Sequence, residues 1–377
     1  MTIPSQKHLF DIPDDVAYLN NAYMSPLMYS VVDAMKTGMA YKSQPWTYSS
    51  DQFFSLPEEA RRLAGEIFET SAENIAIVPS ASYGVQTAAN VLPLTEGQTV
   101  LVLEDQFPSN IYPWQDRAAK VGATVKILPT PEDEDWTRVV LEAIDAQTAI
   151  VAAPQTHWAS GATLDLSRIR AALDKVGGAL VLDVTQSLGA QPFNAEEIRP
   201  DFAVAATYKW MMGPYSLGFL YVDPKWHQAE PLEHNWINRE GSEDFSGLTK
   251  YRDGFQPGAR RFDMGEKSNP AQMLGASAAM RQILSWGIAN IAQTLREKTA
   301  RIETALSQTQ IKPVDKRLRA PHYLGLKFPG GVPDGLAASL AADKIFISVR
   351  GSSMRITPHL YTTDHDLMRL IKAIQQL

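Results

Sequence analysis

Two side chains separated by a single strand suggest cofactor chemistry. The run Ala179-Leu-Val-Leu-Asp183 reads as a buried strand that delivers a carboxylate at its end, with Gln186 just beyond it. A second apolar run, Phe202 to Ala205, precedes Tyr208-Lys209-Trp210. Ligands of open α/β sheets collect at the carboxyl ends of strands, so Asp183 and Lys209 can face one crevice. A lysine held there can form a Schiff base with a carbonyl compound once its pKa is lowered. The carboxylate suits the ring nitrogen of a pyridinium electron sink, and Gln186 the ring hydroxyl. The plainer reading makes Asp183 the cap of the next turn and Lys209 an exposed loop lysine.

Two more segments reach the same edge. Ser80-Ala81-Ser82 lies between the strand Ile75 to Val78 and a helix expected to start near Tyr83. A helix N-terminus offers unpaired N–H groups and a positive dipole to a phosphate, and Ser82 would add a hydroxyl. An ordinary N-cap serine is the competing and compatible reading. His157 and Trp158 follow the strand Ile150 to Ala153 and can line a substrate side, although a histidine there can equally be structural.

The elements that must position these groups alternate in α/β rhythm. Further β-type runs are Val100 to Leu103, Val125 to Leu128 and Gly218 to Val222, several of them continuously apolar. A mostly parallel central sheet with helices on both faces follows. Leu166 to Lys175 has helical periodicity and stops near Gly177-Gly178. Trp226 to Gly258 turns polar and reads as a long excursion. Helices are expected over Gln272 to Trp286 and Ile288 to Gln308, and strands over Tyr323 to Phe328, Ile345 to Arg350 and Met354 to Ile356. A final helix starts at Asp364. The expected division is an arm of residues 1–20, a large α/β domain of 21–258 and a smaller α+β domain of 259–377.

Composition narrows the chemistry. Of 377 residues, 45% are hydrophobic and 20% charged, as in an ordinary globular chain, and cysteine is absent. Disulfides, thiolate nucleophiles and cysteine-ligated metals are thereby excluded. The net charge of -7 comes with no Lys/Arg tract, so neither nucleic acid nor an anionic membrane is the expected partner. Met1 to Phe10 lacks an apolar leader, which makes a cytoplasmic location the default expectation.

Seven segments together resemble the class V aminotransferases, the family that includes cysteine desulfurases, kynureninases and isopenicillin N epimerase-like proteins. They are Tyr18-Leu-Asn-Asn-Ala22, Pro79-Ser-Ala-Ser-Tyr-Gly84, Glu104-Asp-Gln-Phe-Pro108 with Pro113-Trp114, Asp183-Val-Thr-Gln-Ser187, Tyr208-Lys-Trp210 with Gly213-Pro214, Arg260-Arg-Phe-Asp-Met-Gly265, and Met354-Arg-Ile-Thr-Pro-His-Leu-Tyr361. The resemblance covers nearly the whole chain. It implies the aspartate-aminotransferase-like α/β fold (fold type I), with pyridoxal 5'-phosphate as cofactor. Lys209 then carries the Schiff base, Asp183 meets the ring nitrogen, and Gln186 meets the phenolic oxygen. Ser80, Ala81, Ser82 and Tyr208 face the phosphate, and Arg355 grips the substrate carboxylate, with Arg350 a weaker competitor. Asn21, Ala22 and Tyr23 match the N-terminal segment that folds over the substrate. Phe107 stands where many desulfurases have a ring-stacking histidine, and a phenyl ring stacks without shuttling protons. Gly265-Glu-Lys-Ser-Asn269 matches a segment that reaches the neighbouring subunit's phosphate in a homodimer. The Gly-Thr pair usual in desulfurases is Gly265-Glu266 here, so Lys267 or Ser268 is left to make that contact.

Fold and cofactor do not select a reaction. A persulfide-forming desulfurase needs a cysteine nucleophile and is excluded. Transamination of a small amino acid is the first reading, a kynureninase-like or carbon-sulfur lyase the second, and an epimerase the third. A cofactor-free binding scaffold is opposed by the retained set Asp183, Gln186, Lys209 and Arg355. With no cysteine, and Phe107 replacing a proton carrier, Lys209 is left as the principal proton shuttle.

Overall fold

The computed structural model describes residues 1–376. Its strands are β1 (Ala17–Tyr18), β2 (Ile75–Val78), β3 (Thr99–Leu103), β4 (Thr124–Leu128), β5 (Thr148–Pro154), β6 (Ala179–Asp183), β7 (Phe202–Ala206), β8 (Gly218–Val222), β9 (Lys312–Pro313), β10 (Leu324–Lys327), β11 (Ile345–Phe346), β12 (Ser348–Arg350) and β13 (Ser353–Ile356). The helices used below are α1 (Tyr29–Ser43), α2 (Gln52–Phe68), α3 (Ala81–Val91), α4 (Tyr112–Val121), α5 (Trp136–Ala143), α6 (Leu166–Val176), α7 (Ala195–Ile198), α8 (Pro270–Trp286), α9 (Ile288–Ala305), α10 (Leu336–Ala342) and α11 (Asp364–Gln375).

A seven-stranded sheet has the order β2-β8-β7-β6-β5-β3-β4. Its pairs from β4 to β7 are parallel, and β8 runs antiparallel to both β7 and β2. The mostly parallel sheet is thus present, and β8 is the exception for a topological reason. Parallel strands need a long crossover, whereas residues 207–217 return directly from β7 to β8. Lys209 sits in that short return.

Successive strand residues point to opposite faces, so each strand feeds two cores. Ile77, Leu101, Val151, Leu182 and Phe219 join one apolar cluster under α2, α6 and α8. Val78, Val102, Ala152, Val181 and Leu220 join the other, with Val85 and Ala88 of α3 and Trp114 of α4. A four-stranded antiparallel sheet, β12-β13-β10-β9, carries a third core with Leu340 of α10, Leu370 of α11 and Ile302 of α9.

Three expectations need correction. The helix after β2 begins at Ala81, not near Tyr83, because Ser80 caps it by accepting the Tyr83 N–H at 3.2 Å. The long ninth helix ends at Ala305, short of Gln308. The single strand expected over Ile345 to Arg350 is two: Ile345–Phe346 pairs with β1, and Ser348–Arg350 pairs with β13, so the chain changes partners at Ile347. Helices α1 and α2 were not anticipated.

The α1 and α8 backbones touch at Gly38, where a Cβ would lie 2.5 Å from Ala271 Cα. Gly38→Ala is therefore expected to cost about 1–3 kcal/mol, because backbone cannot yield as a side-chain tip can. A lowered denaturation midpoint at unchanged slope is the check; an unchanged midpoint would show that the helices separate freely.

Candidate active site

The carboxyl ends of β2, β5, β6 and β7 share one edge of the large sheet, and the chain order reverses between β3 and β5, which opens a crevice there. A cavity of about 280 Å³ occupies it. Ser80, Ala81, Ser82, Phe107, Trp158, Asp183, Gln186, Tyr208 and Lys209 all line this cavity. A second cavity of about 250 Å³ lies against it, sharing Phe107, Trp158, Tyr208 and Lys209 and adding Ala22, Tyr23, Arg350 and Arg355.

Lys209 is only 7% exposed, so it is no exposed loop lysine. Its Nζ lies 5.4 Å from the Phe107 ring centre and 5.3 Å from that of Tyr208. Burial lowers its ammonium from the usual 10.5 to about 8; the Asp183 carboxylate opposes this, and the Arg355 and Arg350 charges add to it. An amine poised there can act as a nucleophile or a base near neutral pH. The return loop that carries it is tightly held. Met212 and Ser216 both take positive φ, at 53° and 62°, and the Lys209 carbonyl accepts from Asn21 Nδ2 at 3.4 Å.

Asp183 Oδ1 accepts the Thr185 N–H at 3.0 Å, so it does cap the turn, and its second oxygen makes no hydrogen bond among the described residues. The capping and ligand-facing readings are compatible. Gln186 is held by its neighbours: Trp210 Nε1 donates to its Oε1 at 3.0 Å and its Nε2 donates to Ala22 O at 3.1 Å. An indole nitrogen can only donate, which fixes the amide's orientation and leaves one Nε2 hydrogen over. Behind it, His322 Nε2 meets Gln186 O at 2.7 Å, and burial keeps His322 neutral, lowered to about 4.

At the far end of the cavity, Ser80 Oγ and Ser82 Oγ are 2.9 Å apart at the start of α3. The first N–H groups of a helix have no internal partner, so an anion would find donors here. The Tyr208 hydroxyl, pushed up to about 12 chiefly by burial and then by Tyr215 and Asp183, remains a donor at neutral pH. Where the two cavities adjoin, Phe107 and Trp158 meet edge to face, with centres 5.4 Å apart. Arg355 is 2% exposed and donates to Ser348 Oγ at 2.9 Å and Trp158 O at 3.0 Å.

Four sequence candidates lie elsewhere. Asn21 is fully buried beneath the site, where it links the Lys209 carbonyl to the Tyr361 hydroxyl, 3.1 Å from its Oδ1. His157 lies outside both cavities, stacked on Trp136 at 5.4 Å, with burial lowering its pKa. Its next neighbour Trp158 points into the crevice instead, so adjacency in sequence did not mean a shared surface. Ser268 lies in a separate recess and donates to the Phe53 carbonyl. That carbonyl is free because Pro57, four residues on in α2, has no N–H to give it. Lys267 is committed to a buried ion pair with Asp263 at 2.7 Å and to Asn238 at 3.1 Å.

Sequence reasoning missed Gln106, Asn110, Thr185 and Tyr215, which also line the first cavity. Gln106 Oε1 and Asn110 Nδ2 are buried without partners, as polar atoms reserved for a ligand or ordered water would be. Only their closeness to Phe107 in sequence could have pointed to them. Among the described residues no cluster of acidic, histidine or cysteine side chains could hold a metal, and no helix is long and apolar enough to cross a membrane.

Comparison with known proteins agrees with this architecture. An uncharacterized aminotransferase of Bacillus subtilis, YcbU, is 24% identical over 363 residues, 94% of this chain and 91% of that protein. A kynureninase of Deinococcus radiodurans is 26% identical over 302 residues, 77% of this chain and 70% of that protein. The cystine C-S lyase C-DES, solved with its product cysteine persulfide, superposes with a TM-score of 0.86 at 19% identity, over 95% of this chain and 97% of its own. The fold is accordingly the aspartate-aminotransferase-like fold type I expected from the sequence. Residues 17–370 match the family described as aminotransferase class-V, and the chain belongs to that family.

Proposed function

We propose that the protein is a pyridoxal 5'-phosphate enzyme that transfers the amino group of an amino acid to a 2-oxo acid. The observation that carries this reading is the buried Lys209 amine, lowered to about 8, in one cavity with Asp183 and the N-terminus of α3.

The residues present fit the cofactor. Ser80, Ser82, Tyr208 and the first N–H groups of α3 would hold its phosphate, and the free oxygen of Asp183 would pair with the ring nitrogen and keep it protonated. The spare Gln186 hydrogen would be available to the ring oxygen, Phe107 would offer a face to the ring, and Lys209 would anchor the cofactor through Nζ. When bound, pyridoxal phosphate supplies an electron sink for negative charge at the substrate's α-carbon. Arg355 orients the substrate by its carboxylate, a planar anion that matches the guanidinium fork. Trp158 and Tyr23 wall the space above it.

Transamination needs a proton moved between two carbons that flank one nitrogen, which one base can do. Neither cavity is lined by histidine, and cysteine is absent throughout, so Lys209 Nζ is the proton carrier that the site supplies near neutral pH. A lyase would want a second acid for its leaving group. The lyase reading retains the support of the C-DES and kynureninase likenesses, and epimerisation ranks third. Incubating the loaded enzyme with an amino acid panel, with and without 2-oxo acids, separates them. Amino transfer that requires the 2-oxo acid is expected; ammonia and pyruvate or alanine released without it would sink the transaminase reading.

Asp183→Asn should retain bound cofactor but lower kcat about 10²- to 10⁴-fold, because the ring nitrogen loses its charge partner at the moment negative charge develops. Kinetics of the loaded variant would contradict this role if kcat were unchanged.

A homodimer accompanies this reading. It is supported by the recess of about 760 Å³ where Tyr41, Tyr48, Phe53 and Trp236 flank Gly265 and Ser268. Within this recess Ser268 is the residue left to reach a neighbouring cofactor's phosphate, since Lys267 is buried and paired and the Glu266 carboxylate would repel it.

A further inference from the structure

We propose that Arg350 is a second anion-binding residue of the site, and that the substrate is an amino acid with an acidic group on its side chain as well as its α-carboxylate. The inference rests on the aminotransferase reading above and adds the substrate class.

The hairpin register places Ser348 opposite Arg355 and Arg350 opposite Ser353, with Val349 opposite Met354 between them. Side chains of successive pairs alternate in face, so both arginines project from one side of the hairpin and Met354 from the other. Met354 enters the core of the small sheet. The arginine side faces the outer cavity, which both arginines line beside Lys209.

Charge makes the case. Lys209, Arg350 and Arg355 line the outer cavity and no carboxylate does. Arg355 donates only to a hydroxyl and a carbonyl, and the hydrogen bond of Arg350 goes to the carbonyl of Val349, at 2.8 Å. Neither forms an ion pair among the described residues, although most other arginines of the chain do. Two like charges facing one cavity repel each other and are retained where an anion neutralises them. Lys209 is committed to the cofactor and Arg355 to the α-carboxylate, which leaves one guanidinium over. A side-chain carboxylate or comparable acid answers it, and a neutral side chain does not.

Calorimetric titration of the cofactor-loaded protein with glutarate and with butyrate tests this without turnover. Glutarate is expected to bind about 10- to 100-fold more tightly than butyrate, the difference made by one charge-assisted hydrogen-bonded pair. Arg350→Gln should bring glutarate down to the butyrate level, whereas Arg355→Gln should weaken both. Equal binding of the two acids, or a glutarate preference that survives Arg350→Gln, overturns the proposal. The visible band of bound cofactor, read in the same samples, reports on the cofactor, and amino transfer that requires a 2-oxo acid reports on the aminotransferase reading; failure of the latter leaves the calorimetry to decide whether Arg350 selects a second acid.

Discussion

Lys209→Met is expected to lower turnover by at least about 10³-fold while making the cofactor-free protein more stable. The two effects have one cause. Folding buries an ammonium and lowers its pKa from 10.5 to about 8, so the native chain works against that charge. The difference corresponds to about 3 kcal/mol. Between these two pH values the unfolded chain binds the proton and the folded chain does not, so stability rises with pH across that window. The cost is fully present below about pH 8 and is gone above about pH 10.5. Methionine matches the length without the charge. Denaturation of both proteins at pH 7 and pH 10 reads the prediction: the variant is the more stable at pH 7, and the gap closes towards pH 10. Retained turnover, or a gap independent of pH, would remove Lys209 from its proposed place.

The second large effect lies away from the chemistry. Asp263 is fully buried and binds Arg61 Nη2 at 2.6 Å, Lys267 Nζ at 2.7 Å and the Ile77 N–H of β2 at 2.7 Å. The two cations hold its carboxyl below the usual range against the opposing effect of burial. Asp263→Ala would leave Arg61 and Lys267 buried without their shared counter-charge, with an expected loss on the order of 3–5 kcal/mol. Because the folded pKa is depressed, the stability contributed by Asp263 is present above the unfolded carboxylate pKa and fades as pH falls through the folded value. Chemical denaturation near neutral pH should show a clear drop for the variant, and a wild-type midpoint would mean that the cluster contributes no net stability.

The sheet was legible because its strands are short, apolar and β-branched. Ile75–Val78, Ala179–Asp183 and Gly218–Val222 begin and end where the residues place them. Helix α2 escaped notice because Pro57 interrupts its pattern, and the structure uses the carbonyl freed by that proline to hold Ser268. The break at Ile347 was illegible for a different reason: an apolar strand segment carries no mark of which neighbour it will pair with. The α/β class, by contrast, follows from the strand–helix rhythm, and the family from motif order. In the site, residues at strand ends were predictable from the switch-point rule, and those set by tertiary choice were not. His157 and Trp158 are adjacent, and only the fold decides that the indole faces the crevice while the imidazole stacks on Trp136. Asn21 and Trp210 donate hydrogen bonds to Lys209 and Gln186 from beneath, a relation that needs coordinates to be seen.

The claim on which the rest depends is that Lys209 holds the cofactor. Loading the protein with pyridoxal phosphate, reducing it with borohydride to make the lysine–cofactor bond permanent, and mapping its peptides by mass tests this directly. The account predicts the added mass on the peptide that contains Lys209, with no other lysine labelled in proportion to cofactor bound. Stoichiometric labelling of a different lysine, or a loaded protein that reduction leaves unlabelled, would contradict it.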